Sequence, residues 1–179
     1  MKIILLAGFK KEYEQSIRNM SKYIQKTYKV KHVYHAETSG IIYTRDILLD
    51  TLADPEITIT PIKALNLRYR DSDKVTGIDD VDLWDRTDKY YAVVKKMRYN
   101  EDSDENIAKR MRSMYENLIS QHLGTGPDVV VIADQLIISS LVEELYRINK
   151  YFTYRNIGCF ISVINSEKNM LDVHKFYIP

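Results

Sequence analysis

The chain has very little of several things, and each shortage excludes something. A single cysteine, Cys159, rules out an intrachain disulfide and fits a reducing compartment. Cys159 stands in an apolar run, where it reads as core filler rather than nucleophile. The net charge of +1 gives no electrostatic case for bulk binding to nucleic acid or to an anionic membrane. No apolar run reaches 18 residues, and the opening Met1-Lys2-Ile3-Ile4-Leu5-Leu6-Ala7-Gly8 is too short for a signal segment. The expectation is a soluble, cytoplasmic protein. Internal repeats, low-complexity tracts and linkers are absent as well, so residues 1–179 are expected to form one domain with a sizeable core. Tryptophan and phenylalanine are scarce, one and four against 14 tyrosines, an excess that reads as half-buried aromatic packing.

What is present is organised around Asp128-Val129-Val130-Val131-Ile132-Ala133-Asp134. Four consecutive β-branched apolar residues after Gly-Thr-Gly-Pro predict a central strand covered on both faces, as in a parallel sheet. Its carboxyl end delivers Asp134 and Gln135 into a turn, which is where open α/β sheets bind ligands.

Taken in order, residues 2–7 predict a buried strand ended by Gly8, and Tyr13, Ile17, Met20 and Ile24 predict an amphipathic helix over 10–27. A strand follows over 30–35. Thr38-Ser39-Gly40 opens a helix that Asp54-Pro55 closes, and 57–60 alternates as a strand before Pro61. Residues 63–82 read as a long irregular connection, and 83–97 as a helix with Trp84 inward. An acidic turn over 100–105 starts a strong helix to His122. After the strand at 129–133 come a helix over 136–150 and a hairpin of strands, 157–164 and 170–178. Residues 3–6 and 129–133 are expected to be parallel neighbours at the sheet centre, since neither alternates. The pattern predicts an α/β fold, a three-layer sandwich whose largely parallel central sheet ends in an antiparallel C-terminal hairpin.

In this order the chain resembles the histidine phosphatase superfamily, the phosphoglycerate mutase-like proteins, over nearly its whole length. Ile3-Ile4-Leu5-Leu6-Ala7-Gly8-Phe9 lies where that family has a strand and Arg-His-Gly. The stretch from Ser39 to Leu48 looks like its Ser-x-Leu-x-Arg helix start, and Val131-Ile132-Ala133-Asp134-Gln135 stands at Val-Val-Ser-His-Gly. Asp102-Ser103-Asp104 occupies the place of Gly-Glu-Ser, and Trp84 matches a frequent tryptophan.

The resemblance implies a histidine nucleophile, two arginines and a second histidine around the phosphoryl group, and a carboxylic acid that protonates the leaving group. On those positions this sequence has Gly8, Ala7, Tyr43, Asp134, and Asn66 or Leu67. Glycine cannot be phosphorylated, and an unpaired carboxylate at Asp134 would repel phosphate. The expected function is a non-catalytic binding or interaction module, with an unknown protein or a small phosphorylated molecule as partner, a possible homodimer and no cofactor. Gly8, Lys10, Lys11, Tyr43 and Arg45 would be the remnant of a phosphate site, and Gly8, Tyr43, Arg45 and Asp134 are expected to converge, with Phe9 and Tyr43 filling the pocket. Arg45 or a backbone N–H is the expected partner of Asp134.

The alternative is a phosphoryl-transfer or phosphoester-hydrolysing enzyme rebuilt around His35, Arg45 and Asp134, with Arg68 and Arg70 nearby in sequence. A further alternative is a degenerate P-loop of the nucleoside monophosphate kinase kind, since Gly8-Phe9-Lys10-Lys11 follows a strand and opens a helix. There, however, Tyr13 replaces the second glycine and Glu14 the lysine. His32 and His35 face opposite ways on a strand, while His122 and His174 lack sequence neighbours of ligand type, so no metal site is expected.

Overall fold

The computed structural model describes residues 1–8, 11–66, 104–122, 124, 126–146, 159–166 and 170–176. Their elements are β1 (Lys2–Ala7), α1 (Glu14–Thr27), β2 (Val30–His35), α2 (Ser39–Leu52), β3 (Thr58–Pro61), α3 (Asp104–His122), β4 (Asp128–Ala133), α4 (Gln135–Tyr146), β5 (Cys159–Asn165) and β6 (Met170–Phe176). The expected helix over 83–97, with Trp84, lies outside the described residues, as do Phe9, Lys10, Arg68 and Arg70.

The strands form one six-stranded sheet in the order β3-β2-β4-β1-β5-β6. β1 and β4 are its parallel central pair, with Ile3 opposite Val129 and Ala7 opposite Ala133. β2 runs parallel to β4 on the other side, and β3 parallel to β2. The only reversal among the described strands is β5, antiparallel to both β1 and β6, so β6 at the edge again runs with the parallel set. Such a sheet needs cover on both faces. α1 lies against α2 on one, and α3 against α4 on the other.

Local chemistry explains the boundaries. Ile3, Ile4, Leu5 and Leu6 are fully buried, as are Val129, Val130 and Ile132, which is why neither central strand alternates. α1 begins at Glu14, four residues later than periodicity predicts, because Lys11–Tyr13 forms a tighter 3-10 turn. Pro61 is the last residue of β3 and takes part in it, pairing with His35. A missing N–H is tolerated there because β3 is an edge strand. Asp128 ties strand starts together, its carboxylate accepting the backbone N–H of Lys2 at 2.8 Å and of Lys29 at 3.1 Å. Among the described helices none is long and apolar enough to cross a membrane.

Candidate functional site

The carboxyl ends of β1, β4 and β2 come side by side. The Gly8 N–H donates to the Ala133 carbonyl at 3.0 Å, and the Ala36 N–H to that of Ile132 at 3.0 Å. This places Gly8, Asp134 and the His35–Glu37 segment along one rim. Asp134 is half-buried and stands just before α4, its carbonyl accepting the Ile138 N–H at 3.0 Å.

The first turn of α2 leans over this rim. Its N-cap Thr38 has extended backbone angles, and its carbonyl accepts the N–H groups of Ile41 and Ile42. Ile41, 3% exposed, descends onto Gly8. A Cβ built on Gly8 would sit 2.5 Å from Ile41 Cγ1, 3.1 Å from Ile41 Cα and 3.3 Å from its nitrogen. Position 8 therefore admits no side chain unless the helix start moves. The filling expected from Phe9 falls outside the described residues, and what the structure brings onto Gly8 is Ile41. The available signal was the pair Ile41-Ile42 directly after the capping residues, of which one must face inward.

Tyr43 and Arg45, two positions apart on a helix, point to opposite flanks. The Tyr43 hydroxyl donates to Glu14 Oε2 at 2.6 Å, and Arg18 Nε donates to Glu14 Oε1 at 2.9 Å. Glu14 thus links the start of α1 to α2. The Tyr43 hydrogen bond first, and Arg18 second, hold the Glu14 carboxyl below its usual range, while Glu14 pushes the Tyr43 phenol up.

On the other flank Arg45 donates from Nε at 2.9 Å and NH2 at 2.7 Å to Asp46 Oδ1, and its NH1 lies 3.2 Å from His35 Nε2. His35 is buried, with Nδ1 2.7 Å from the Ala36 carbonyl. A carbonyl can only accept, so the network assigns the ring proton to Nδ1 and leaves Nε2 as acceptor for the guanidinium. His35 and Arg45 therefore meet, as two of the three candidates for a rebuilt site. Among the described residues Arg45 turns to Asp46 and His35 rather than to Asp134. Lys11 is exposed on the 3-10 turn after β1.

Asn66 faces Glu37, accepting the Glu37 N–H on Oδ1 at 2.8 Å and donating from Nδ2 to Glu37 Oε2 at 3.1 Å. Arg110 of α3 supports this turn from below, donating to the carbonyls of Ala64 at 2.9 Å and Asn66 at 3.1 Å. Truncation in Arg110→Ala should free residues 63–66 and cost about 2 kcal/mol, since hydrogen bonds from a charged donor carry about 1.5–3 kcal/mol when well shielded. Urea unfolding of the variant against the wild type measures it.

The histidines away from the rim require a correction. His122 does have a partner, which sequence distance concealed: its ring centroid lies 4.3 Å from that of His32. Among the described residues no three His, Cys, Asp or Glu side chains gather as a metal site would require.

The sequence matches no family model and no curated protein. Solved structures do match in fold. The chain is similar to YhfR of Bacillus stearothermophilus, with a TM-score of 0.63, 9% identity, and 97% of this chain and 95% of that one covered. It is also similar to an Escherichia coli protein described as a putative alpha-ribazole-5'-P phosphatase, with a TM-score of 0.62, 12% identity, and 98% and 96% covered. Against a phosphoglycerate mutase from Bacillus anthracis the TM-score is 0.59 at 13% identity, with 98% and 92% covered. The fold is thus that of the histidine phosphatase and phosphoglycerate mutase-like proteins. Identity at this level carries the fold and not the chemistry.

Proposed function

We propose that this chain is a non-catalytic relative of the phosphatase-like enzymes, a binding or interaction module acting in the cytoplasm with a protein or a small phosphorylated molecule as partner. The observation that carries the reading is Gly8 under Ile41. At the carboxyl end of β1, where the resemblance puts a nucleophilic histidine, a residue without a side chain is covered by the first turn of α2. Three further features support it. Tyr43 is engaged by Glu14, the Glu37–Asn66 pair occupies the end of β2, and a carboxylate, Asp134, stands where a cationic clamp would serve. The flanks carry Glu14 and Glu37 as well as Arg45, which makes a poor cradle for a dianion.

The test is turnover of p-nitrophenyl phosphate, sugar phosphates and nucleotides across a range of pH. The expected result is no activity above background, and inorganic phosphate or vanadate binding weakly if at all. A second reading, a phosphotransfer or hydrolytic enzyme rebuilt around His35, Arg45 and Asp134, draws on the 3.2 Å contact between Arg45 and His35. Activity that disappears in Asp134→Asn or His35→Gln would establish that reading in place of the first.

A further inference from the structure

We propose that His122, His32 and Tyr34 form a proton-operated latch that fastens the carboxyl end of α3 to β2 and releases it on mild acidification. The geometry comes from two periodicities. Residues 32 and 34 lie on the same face of β2, and their rings stack with centroids 6.5 Å apart and planes 15° from parallel. His122, the last residue of α3, is brought onto that face. It is 6% exposed, its ring centroid is 4.3 Å from that of His32 and 5.8 Å from that of Tyr34, and its Nε2 lies 2.7 Å from the Tyr34 hydroxyl.

Such an arrangement accepts a neutral imidazole and resists an imidazolium. A neutral ring in either tautomer can bond the Tyr34 hydroxyl, whereas a charged ring can only donate and forces the hydroxyl proton to find another acceptor. Burial also raises the Tyr34 phenol, so Tyr34 supplies no compensating charge. The groups facing His122 from β2 are His32 and Tyr34. β3 brings none of either charge, and Asp128 at the start of β4 is held by the backbone N–H groups of Lys2 and Lys29. On α4, Glu144 accepts from Arg112. One influence favours the cation, because a helix carboxyl end attracts positive charge. Burial first, and the nearby His32 second, outweigh it and hold His122 below its ordinary value of 6.5.

The unfolded chain therefore binds the proton more readily than the folded one. The latch contributes fully above about pH 6.5, and its contribution is lost as pH falls below that value toward the lowered folded one.

The experiment is urea unfolding from about pH 7.5 to about pH 5, combined with the proton resonance of the His122 ring followed through the same range. In the wild type the urea midpoint should fall with pH and the His122 ring should titrate below 6.5. His122→Gln, which keeps a polar partner for Tyr34, should lose much of that fall. His32→Ala should bring the His122 midpoint upward, because it removes the neighbouring imidazole and admits water to the ring. Should His122→Gln not fold, the wild-type and His32→Ala titrations decide the matter. An unchanged slope in His122→Gln, or a His122 midpoint at or above 6.5, overturns the proposal.

Discussion

Val131→Asp is expected to abolish folding. Val131 is 1% exposed, paired with Leu5 on one side and Tyr34 on the other, in a strand whose faces are both covered. Among the described residues, those flanking Val131 on β1 and β4 (Ile4, Leu5, Leu6, Val130 and Ile132) are all aliphatic. A carboxylate there must either remain charged without a partner or take up a proton, and the penalty is several kcal/mol against a total stability of about 5–15 kcal/mol. The variant should be insoluble, or lack near-ultraviolet circular dichroism and a cooperative melt. Val131→Ala is the graded control, expected to fold with a loss of about 2–3 kcal/mol from the missing methyl groups and the cavity they leave. A soluble Val131→Asp protein that melts cooperatively would mean that β4 is not buried on both faces.

The same residues explain why so much of this fold was legible. Runs such as Ile3 to Leu6 and Val129 to Ile132 combine unbroken hydrophobicity, strand length and flanking glycines, which together mark a doubly covered strand. The bounds of β1 and the parallel pairing of β1 with β4 follow from this combination directly. Boundaries set by weaker or non-local forces were harder to read. The 3-10 turn before α1 leaves no mark on helical periodicity, and Pro61 reads as a terminator unless its strand is known to be an edge. The site was legible only as a location. The rim formed by Gly8, Asp134 and His35 follows from strand ends, whereas the partners of each side chain depend on how α2 tilts. That tilt sends Tyr43 to Glu14 and Arg45 to His35 and Asp46, and it lays Ile41 on Gly8. His122 and His32 are 90 positions apart in sequence, so no spacing rule could have joined them.

Placing a histidine at position 8 should destabilise the protein without creating phosphatase activity. The backbone of Gly8 does not adopt a positive φ, so the requirement for glycine comes from space and not from conformation. A Cβ 2.5 Å from Ile41 Cγ1 can be relieved by rotating that side chain, but the contacts at 3.1 Å and 3.3 Å are to the Ile41 backbone. They yield only if the first turn of α2 shifts, and that turn is anchored by the Thr38 carbonyl and by Ile41 in the core. Gly8→Ala should therefore cost about 1–3 kcal/mol, the range for overpacking a filled interior, and Gly8→His at least as much. Ile41→Ala in the Gly8→His background should recover part of the loss but not all, because the backbone contacts remain. The two substitutions would then be coupled by more than about 0.5 kcal/mol in a double-mutant cycle. Neither variant should turn over p-nitrophenyl phosphate, since a nucleophile alone lacks the guanidinium donors that stabilise a transferring phosphoryl group. Independent, additive effects would refute the steric account of Gly8. Phosphatase activity in Gly8→His would show that the surrounding residues can support phosphoryl transfer, and would overturn the non-catalytic reading at the same stroke.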